Sequence, residues 1–374
     1  MRKTMTGPLA CLVAATAALT LTPATAHAGT EHGHGPGAGF SPLLNALVES
    51  DAATAALLRY DDGRRSWSGS AGTADLDTGA PARPDGHFRI GSVTKTFAAT
   101  VVLQLAEDGL LDLDDPIERH LPGLVPDGER ITVRHLLGHT SGLYDYMSEP
   151  GYSTNRWRGD DRFDGYTPRE LLDVAFAHDP YFEDPGSRWR YSNTNYVVVG
   201  LLIEEVTGRT YGEEVEDRVL RPLRMRHTSL PGHDSGLPRP HARGYTQVDG
   251  ETVDATEMNP SLDWAAGEMI STTRDLNTFT SALLDGDLLE DASLAEMRTA
   301  EPTGDIFAYG LGLQRFDLPC GESVYGHGGE LLGYETYTTG ADDGRTLTLS
   351  YNPSTRPATE QDLIPIFTEA YCPQ

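Results

Sequence analysis

Of the 29 lysines and arginines in the chain only two are lysines, Lys3 and Lys95, and Lys95 stands three residues after Ser92 in Arg89-Ile90-Gly91-Ser92-Val93-Thr94-Lys95. An arginine stays protonated in a protein, whereas a lysine gives up its proton readily once it is desolvated. On a helix, positions i and i+3 share a face one turn apart. The N–H groups at a helix start also point toward an incoming anion. The spacing therefore predicts a serine nucleophile, Ser92, whose proton passes to a neutral Lys95.

Two further stretches carry usable chemistry. In Tyr191-Ser192-Asn193, just after Trp189, a phenol beside a lysine ammonium can be partly ionised and relay a proton, and the Asn193 amide can hold a carbonyl. The same two residues also fit a core tyrosine and a helix cap. In Tyr325-Gly326-His327-Gly328-Gly329-Glu330 the small residues let a substrate backbone lie along a strand. His327 is placed to complete a proton network facing Tyr191. A glycine-rich hairpin with an incidental histidine is the alternative. His135 and His139 are i and i+4, but no glutamate follows His135, which argues against a zinc site of the His-Glu-x-x-His kind. No serine sits at the centre of a Gly-x-Ser-x-Gly elbow, and no phosphate-binding glycine loop is present.

The elements that must position these residues are legible in the patterning. A short helix is expected over 40–50, followed by strands near 52–60, 66–71 and 87–90. From Ser92, the spacing of Phe97, Val101, Val102 and Leu105 predicts a helix that ends at Gly109. Thr132 caps a helical turn over 133–137. Thr167-Pro168-Arg169-Glu170 is a capping box with proline at the first helical position. Helices are also expected over 195–206, 210–220, 271–284 and 360–370, and strands over 309–316, 323–326, 334–339 and 346–351. Sheet pieces at both ends with helices between them predict an α/β fold, an antiparallel sheet flanked by helices into which a mostly helical subdomain is inserted. The sheet part is expected over about 40–105 and 230–374, and the helical part over about 106–229.

Composition narrows the partners. The chain has 374 residues and a formal charge of −27, which argues against nucleic acid and anionic membranes. Residues 1–28 read as a secretory signal: Arg2 and Lys3, an apolar run over 9–21, and Ala26-His27-Ala28 as a small-x-small cleavage site. Residues 29–39 read as a flexible Gly/His-rich joint. The protein is thus expected to be secreted, without membrane insertion of the mature chain, and monomeric. Cys320 and Cys372 would remain after cleavage and, in an exported protein, most simply pair; two free buried thiols are the alternative.

Taken together, Ser92/Lys95, Tyr191/Asn193 and His327-Gly328-Gly329 resemble, in order and separation, the three motifs of the penicillin-recognising serine hydrolases, the β-lactamases and D,D-peptidases. His139-Thr140-Ser141-Gly142-Leu143, the stretch from Trp264 to Leu276, and Tyr309-Gly310-Leu311-Gly312 look like further motifs of that family. The likeness covers most of 40–374. It is nearest to the Streptomyces serine D-alanyl-D-alanine carboxypeptidase group and the class C β-lactamase fold. That group has a late cysteine pair like Cys320 and Cys372.

The resemblance implies an acyl-enzyme on Ser92, with Lys95, Tyr191 and His327 completing the catalytic set. It further implies that Asn193 holds the acyl side chain and that the backbone N–H groups of Ser92 and Glu330 form an oxyanion hole. Gly328, Gly329, Glu330, Trp264 and Gln314 complete the substrate-binding set. The implied partners are peptides or peptidoglycan-type substrates with D-residues, and β-lactams; no metal or organic cofactor is required. The leading expectation is a D-alanyl-D-alanine carboxypeptidase-like activity. D-Aminopeptidase, D-amidase, esterase, β-lactamase or slow-turnover penicillin binding on the same scaffold are the alternatives.

One departure bears on that choice. Where the carboxypeptidase group carries two hydroxyls and an arginine that clamp a substrate carboxylate, this chain has Gly328, Glu330 and Gln314. Arg315 is next to Gln314, and strand side chains alternate faces, so Arg315 is expected to point away. A Glu330 carboxylate would repel a terminal carboxylate. This favours amides, esters or D-aminoacyl substrates.

Overall fold

The computed structural model describes residues 37–372; the expected leader at 1–28 and most of the expected joint at 29–39 lie outside the described residues. Among the described residues nine strands form one antiparallel sheet. In spatial order they are Ala80–Pro81, Ser66–Asp75, Ala53–Asp61, Thr346–Pro353, Tyr334–Gly340, Ser323–Leu331, Gln314–Asp317, Phe307–Tyr309 and Glu301–Pro302. The N-terminal strands thus join the C-terminal ones through a single ladder, Ala53–Asp61 on Thr346–Pro353.

Alternation along the strands sorts the side chains into two cores. Leu58, Leu347, Leu349 and Tyr351 face the terminal helices Phe40–Glu49 and Glu360–Tyr371 and pack with Leu44, Leu47 and Ile366. On the other side a larger core runs without a break from Leu57 through Phe97 and Phe279 to Val198, Leu136 and Leu171. The buried helix Thr94–Glu107 stands at its centre. Phe97 stacks on Phe279 of helix Thr273–Leu284 with centroids 3.7 Å apart, a contact that adds about 1 kcal/mol beyond the burial itself.

The structure departs from the sequence reading where a turn or a short pairing interrupts a pattern. The expected strand over 309–316 is two strands, because Gly310 and Gly312 (φ +71°) turn the chain between them. That turn docks on the nucleophile helix: Thr96 Oγ1 donates to the Gly312 carbonyl at 2.8 Å. The helix expected from 271 starts at Thr273; Ile270–Thr272 instead pairs with His87–Arg89. Thr272 then caps the helix by accepting the Asp275 N–H. The strand carrying His327 runs to Leu331, well past 326. His135 serves as the third residue of the Thr132 capping box.

A disulfide joins Cys320 to Cys372, with Cα atoms 5.9 Å apart. It ties the turn before strand Ser323–Leu331 to the end of helix Glu360–Tyr371. Among the described residues no helix is long and apolar enough to cross a membrane.

Candidate active site

The backbone around Ser92 is set by two glycines. After His87–Arg89 the Ile90 N–H donates to the Met269 carbonyl at 3.0 Å. The chain then passes through Gly91, at φ +50°, into a single 3-10 turn, Gly91–Val93, and helix Thr94–Glu107 follows. Ser92 therefore sits on a 3-10 turn at the helix entrance, not within the α-helix itself. A Cβ on Gly91 would stand 2.6 Å from the Glu330 carbonyl oxygen and 2.7 Å from its nitrogen. One on Gly329 would stand 1.9 Å from the Ile90 oxygen and 3.0 Å from the Ser92 nitrogen. Without side chains at these points the strand backbone presses onto the nucleophile turn. The amides of Ser92 and Glu330 become neighbours, a placement suited to holding an oxyanion.

Lys95 is fully buried. Its Nζ lies 2.7 Å from Asn193 Oδ1, 2.7 Å from the Ala266 carbonyl and 3.0 Å from Ser92 Oγ. A neutral amine has two N–H donors. Asn193 and Ala266 take both, which leaves the lone pair for the Ser92 hydroxyl. Burial lowers the Lys95 pKa to about 7, against the opposing charges of Asp145 and Asp263. An amine so placed can accept a proton near neutral pH.

Tyr191 touches the same centre. Its hydroxyl is near enough to Ser92 for the serine to ease its ionisation, and Lys95 Nζ lies 4.9 Å from its ring centroid. Burial raises the phenol well above its ordinary range, so it stays protonated. The expectation of a partly ionised tyrosine is corrected: desolvation acts on a phenol and on an ammonium in opposite directions, and Lys95 is the group left poised as a base. The ring rests on His139, centroids 4.1 Å apart. His139 is in turn fixed: its Nδ1 accepts from Asn195 Nδ2 at 3.0 Å and from the Ser192 N–H at 3.3 Å. Ser141 Oγ donates to Asn195 Oδ1 at 2.6 Å. The His139–Leu143 turn is thus a platform under Tyr191.

Asn193 opens helix Asn193–Thr207, and its side chain works both ways. Oδ1 faces Lys95, while Nδ2 donates to Asp145 Oδ2 at 3.1 Å and the backbone N–H donates to Asp145 Oδ1 at 3.2 Å. Asp145 was not singled out in the sequence reading; its signal is its place two residues after the Ser141-Gly142-Leu143 turn. Burial raises its pKa, with the hydrogen bonds from Met147 and Asn193 and the charge of Lys95 opposing.

His327 lies in the cleft with Tyr191. It is buried, its Nε2 lies 2.9 Å from the Tyr309 hydroxyl, and its Nδ1 bonds the Gly328 carbonyl. Burial pushes its pKa down to about 3, so it is neutral at working pH. With Nδ1–H donating to a carbonyl, Nε2 accepts from Tyr309. The Tyr309 ring contacts both, with centroids 5.5 Å from His327 and 6.2 Å from Tyr191. His327 and Tyr191 line the same cleft, and the side-chain hydrogen bond of His327 goes to Tyr309.

A cleft of about 290 Å³ opens above Ser92. Tyr191, Asn193, His327, Gly328, Gly329, Glu330 and Gln314 line it, as do Asp263, Glu335 and Tyr337. Met147, Ile306, Phe307 and Phe316 supply apolar wall. Gln314 Oε1 accepts the Gly328 N–H at 2.7 Å, and Arg315 turns to Asp317, 3.2 Å away. Trp264 does not line the cleft. Held at φ +40°, its ring packs edge-on to Tyr211 with centroids 4.9 Å apart, and its neighbour Asp263 takes the cleft position. Asp263 is 3% exposed, accepts from Thr154 Oγ1 at 2.9 Å through Oδ1, and among the described residues has no hydrogen-bond partner for Oδ2. Burial raises its pKa to about 7.

Comparison with known proteins agrees with this geometry. The family model described as Beta-lactamase matches residues 40–356. A solved structure of a D-stereospecific amidohydrolase from Streptomyces sp. is 41% identical, with a TM-score of 0.82 over 90% of this chain and 98% of that one. The D-amino acid amidase from Ochrobactrum anthropi SV3, complexed with D-phenylalanine, is 29% identical, with a TM-score of 0.79 over 89% of this chain and 98% of that one. Penicillin-binding protein 4* from Bacillus subtilis (strain 168) is 29% identical over 309 residues, 79% of this chain; the match spans 66% of that protein's length.

Proposed function

The chain belongs to the β-lactamase family of serine acyl-enzyme hydrolases, and from that premise we propose that it cleaves D-aminoacyl amides or esters in preference to peptides ending in a free D-alanine carboxylate. One observation carries this reading. Among the described residues the cleft is lined by Asp263, Glu330 and Glu335 and by no arginine, and Gln314 spends its carbonyl oxygen on the Gly328 N–H. A terminal carboxylate entering there would meet like charge and no guanidinium partner.

In this reading Ser92 Oγ attacks the substrate carbonyl carbon while its proton passes to neutral Lys95. The O–C bond forms, and the developing oxyanion lies between the Ser92 and Glu330 N–H groups. Collapse breaks the C–N bond of an amide or the C–O bond of an ester. The leaving group departs with a proton returned from Lys95 through the Tyr191 hydroxyl. Water then attacks the acyl-enzyme by the same path in reverse. The amidohydrolase and amidase similarities support the amide over the carboxypeptidase reading.

The test is a substrate panel on the wild type and Ser92→Ala: D-phenylalaninamide, its methyl ester, its L-enantiomer, and an acylated D-Ala-D-Ala peptide, with mass spectrometry of the intact protein. The amide and ester should be turned over with a D-preference and should leave an acyl adduct on Ser92. A D-Ala-D-Ala peptide preferred by about tenfold in kcat/KM over its own C-terminal amide would reverse the assignment. Activity surviving in Ser92→Ala would remove the mechanism.

A further inference from the structure

A second cavity, of about 640 Å³, lies apart from the Ser92 cleft and, among the described residues, shares no lining side chain with it. Over residues 209–230 five arginines face four acids, a surplus of one in a chain whose formal charge is −27. Three of the five, Arg221, Arg224 and Arg226, line this cavity. The two acids that line it are engaged. Glu213 closes the Thr210 capping box, its Oε2 accepting the Thr210 N–H at 3.0 Å. Glu216 pairs with Arg221 at 3.4 Å, and Arg221 also bonds Asp217. Most arginines of this protein pair with a carboxylate. Among the described residues the Arg224 and Arg226 side chains have no such partner, although they share one cavity.

The turn that presents these two residues is built against its own residue type. The Met225 N–H donates to the Leu220 carbonyl at 2.9 Å, and the Arg224 N–H donates to the Arg221 carbonyl at 3.1 Å. This pair of bonds ends a helix on one left-handed residue, a place that glycine usually fills because it has no Cβ. Arg224 fills it here, at φ +55°. Leu220 and Met225 are buried in the larger core, as the apolar residues flanking such an ending commonly are. A glycine would serve that packing as well, and no internal contact of the Arg224 side chain offsets the strain. The Arg226 N–H donates to the Arg224 carbonyl at 2.9 Å, so both arginines leave the same tight turn. The neighbouring wall is fixed, because Ser229 and Ile270 exchange backbone bonds of 2.9 and 3.0 Å.

We propose that this cavity is a second binding site, separate from the Ser92 cleft, for a phosphoryl group, free or carried on a small organic molecule. A phosphomonoester brings a charge of about −1.5 to −2 and three acceptor oxygens, which matches two unpaired guanidiniums. Each guanidinium can hold two of those oxygens through parallel N–H bonds. A carboxylate brings one charge and would leave one arginine uncompensated. The volume exceeds that of a bare phosphate and falls in the range of small-molecule sites, with Leu220 and Leu230 as apolar wall. An extended polyanion fits less well, since the −27 charge of the chain repels it beyond the local surplus. The site stands independently of the acyl-transfer reading of Ser92.

The experiment titrates the full chain by calorimetry with glycerol 3-phosphate, inorganic phosphate and glycerate at constant ionic strength. Both phosphates should bind saturably at one site, and glycerate about tenfold more weakly. Tighter binding of glycerol 3-phosphate assigns the cavity to an organic phosphate; equal affinity assigns it to the phosphoryl group alone. Binding should weaken as salt is raised. Arg226→Gln, a change at an exposed position, and Arg224→Gly should each raise Kd by about tenfold. Arg224→Gly has a second readout. Glycine is at ease in the left-handed region, so Tm without ligand should hold or rise, while the rise in Tm that phosphate gives the wild type should vanish. An Arg224 that served only the fold would lower Tm when replaced. Phosphate should leave KM for D-phenylalaninamide unchanged, because the two cavities are separate. Unchanged affinity in both variants, glycerate binding as tightly as the phosphates, or phosphate competing with substrate would each overturn the site.

Discussion

Asn193 Oδ1 lies 2.7 Å from Lys95 Nζ while the Nδ2 of the same amide lies 3.1 Å from Asp145 Oδ2. The carboxylate fixes which way the amide faces, and the amide fixes where the lysine points its lone pair. Asp145 also raises the Lys95 pKa by its charge. In Asp145→Asn, the limb of the pH–rate profile set by Lys95 should move to lower pH, and kcat should fall by about tenfold with a smaller change in KM. Asp145→Glu should restore part of kcat. A limb that stays in place in Asp145→Asn would show that the two groups are not coupled.

The wild-type profile follows from the same charges. Lys95 must be neutral to take the Ser92 proton, and its pKa is lowered by burial to about 7. Activity should therefore rise with pH through about 7. His327, with its pKa near 3, adds no limb above pH 4 or so. Tyr191 is pushed upward by burial and should cause no descending limb below about pH 10. The check is kcat/KM against pH with a neutral substrate such as N-acetyl-D-phenylalaninamide. An ascending limb near 4 would assign the base to a carboxylate instead.

How much of this was legible before folding differs from residue to residue. Ser92 and Lys95 could be read because a helical spacing and a near-absence of lysine are both properties of the string. The sheet could be read because its strands end in Gly and Asp turns. Asp145 could not: its importance lies in a contact with Asn193 that spans 48 positions, and no local pattern encodes it. Trp264 was misplaced for a related reason. An aromatic beside a glycine-bearing turn fits either a cleft wall or a core, and only the φ of +40° and the Tyr211 ring decide between them. The charge of Glu330 could be read from the sequence. Its pairing with Glu335 required the hairpin register.

Gly329 tests the contact between strand and nucleophile turn. Its Cβ position is 1.9 Å from the Ile90 oxygen, a backbone atom that cannot swing aside. In Gly329→Ala the strand must retreat from Ser92, and the two amides that flank the oxyanion separate. Loss of one such donor typically costs about 10²–10³ in kcat. Gly329→Ala should lose at least that while remaining folded by circular dichroism. Near wild-type turnover would mean that the strand and the turn do not meet as described.

The disulfide makes a stability prediction that is separate from the chemistry. Cys320 and Cys372 close a loop of 52 residues, for which chain entropy gives about 4 kcal/mol. The bond anchors helix Glu360–Tyr371 over one face of the sheet. The double variant Cys320→Ser/Cys372→Ser should unfold at lower denaturant concentration, by about 2–4 kcal/mol in stability. Its kcat should change little, because neither cysteine lines the cleft. A large loss of kcat with unchanged stability would contradict both parts.

Lys95→Arg separates charge from proton transfer. The substitution keeps a cation beside Ser92, and a guanidinium could still bond Asn193 Oδ1 and the Ala266 carbonyl. It cannot give the neutral form at any pH the fold survives. If Lys95 served only to hold charge near the oxyanion, the variant would keep much of its activity. If Lys95 is the base, acylation should fall by about 10²–10⁴, and raising the pH should not restore it. His327→Gln offers the contrast. It keeps a group able to accept from the Tyr309 hydroxyl while removing the imidazole. Because His327 is neutral and hydrogen-bonds Tyr309, its variant should retain the ascending limb near pH 7 at a reduced rate. Measuring acylation bursts for both variants across pH 6–10 distinguishes base from scaffold: a pH-restored Lys95→Arg, or a His327→Gln that loses the limb, would exchange the two roles.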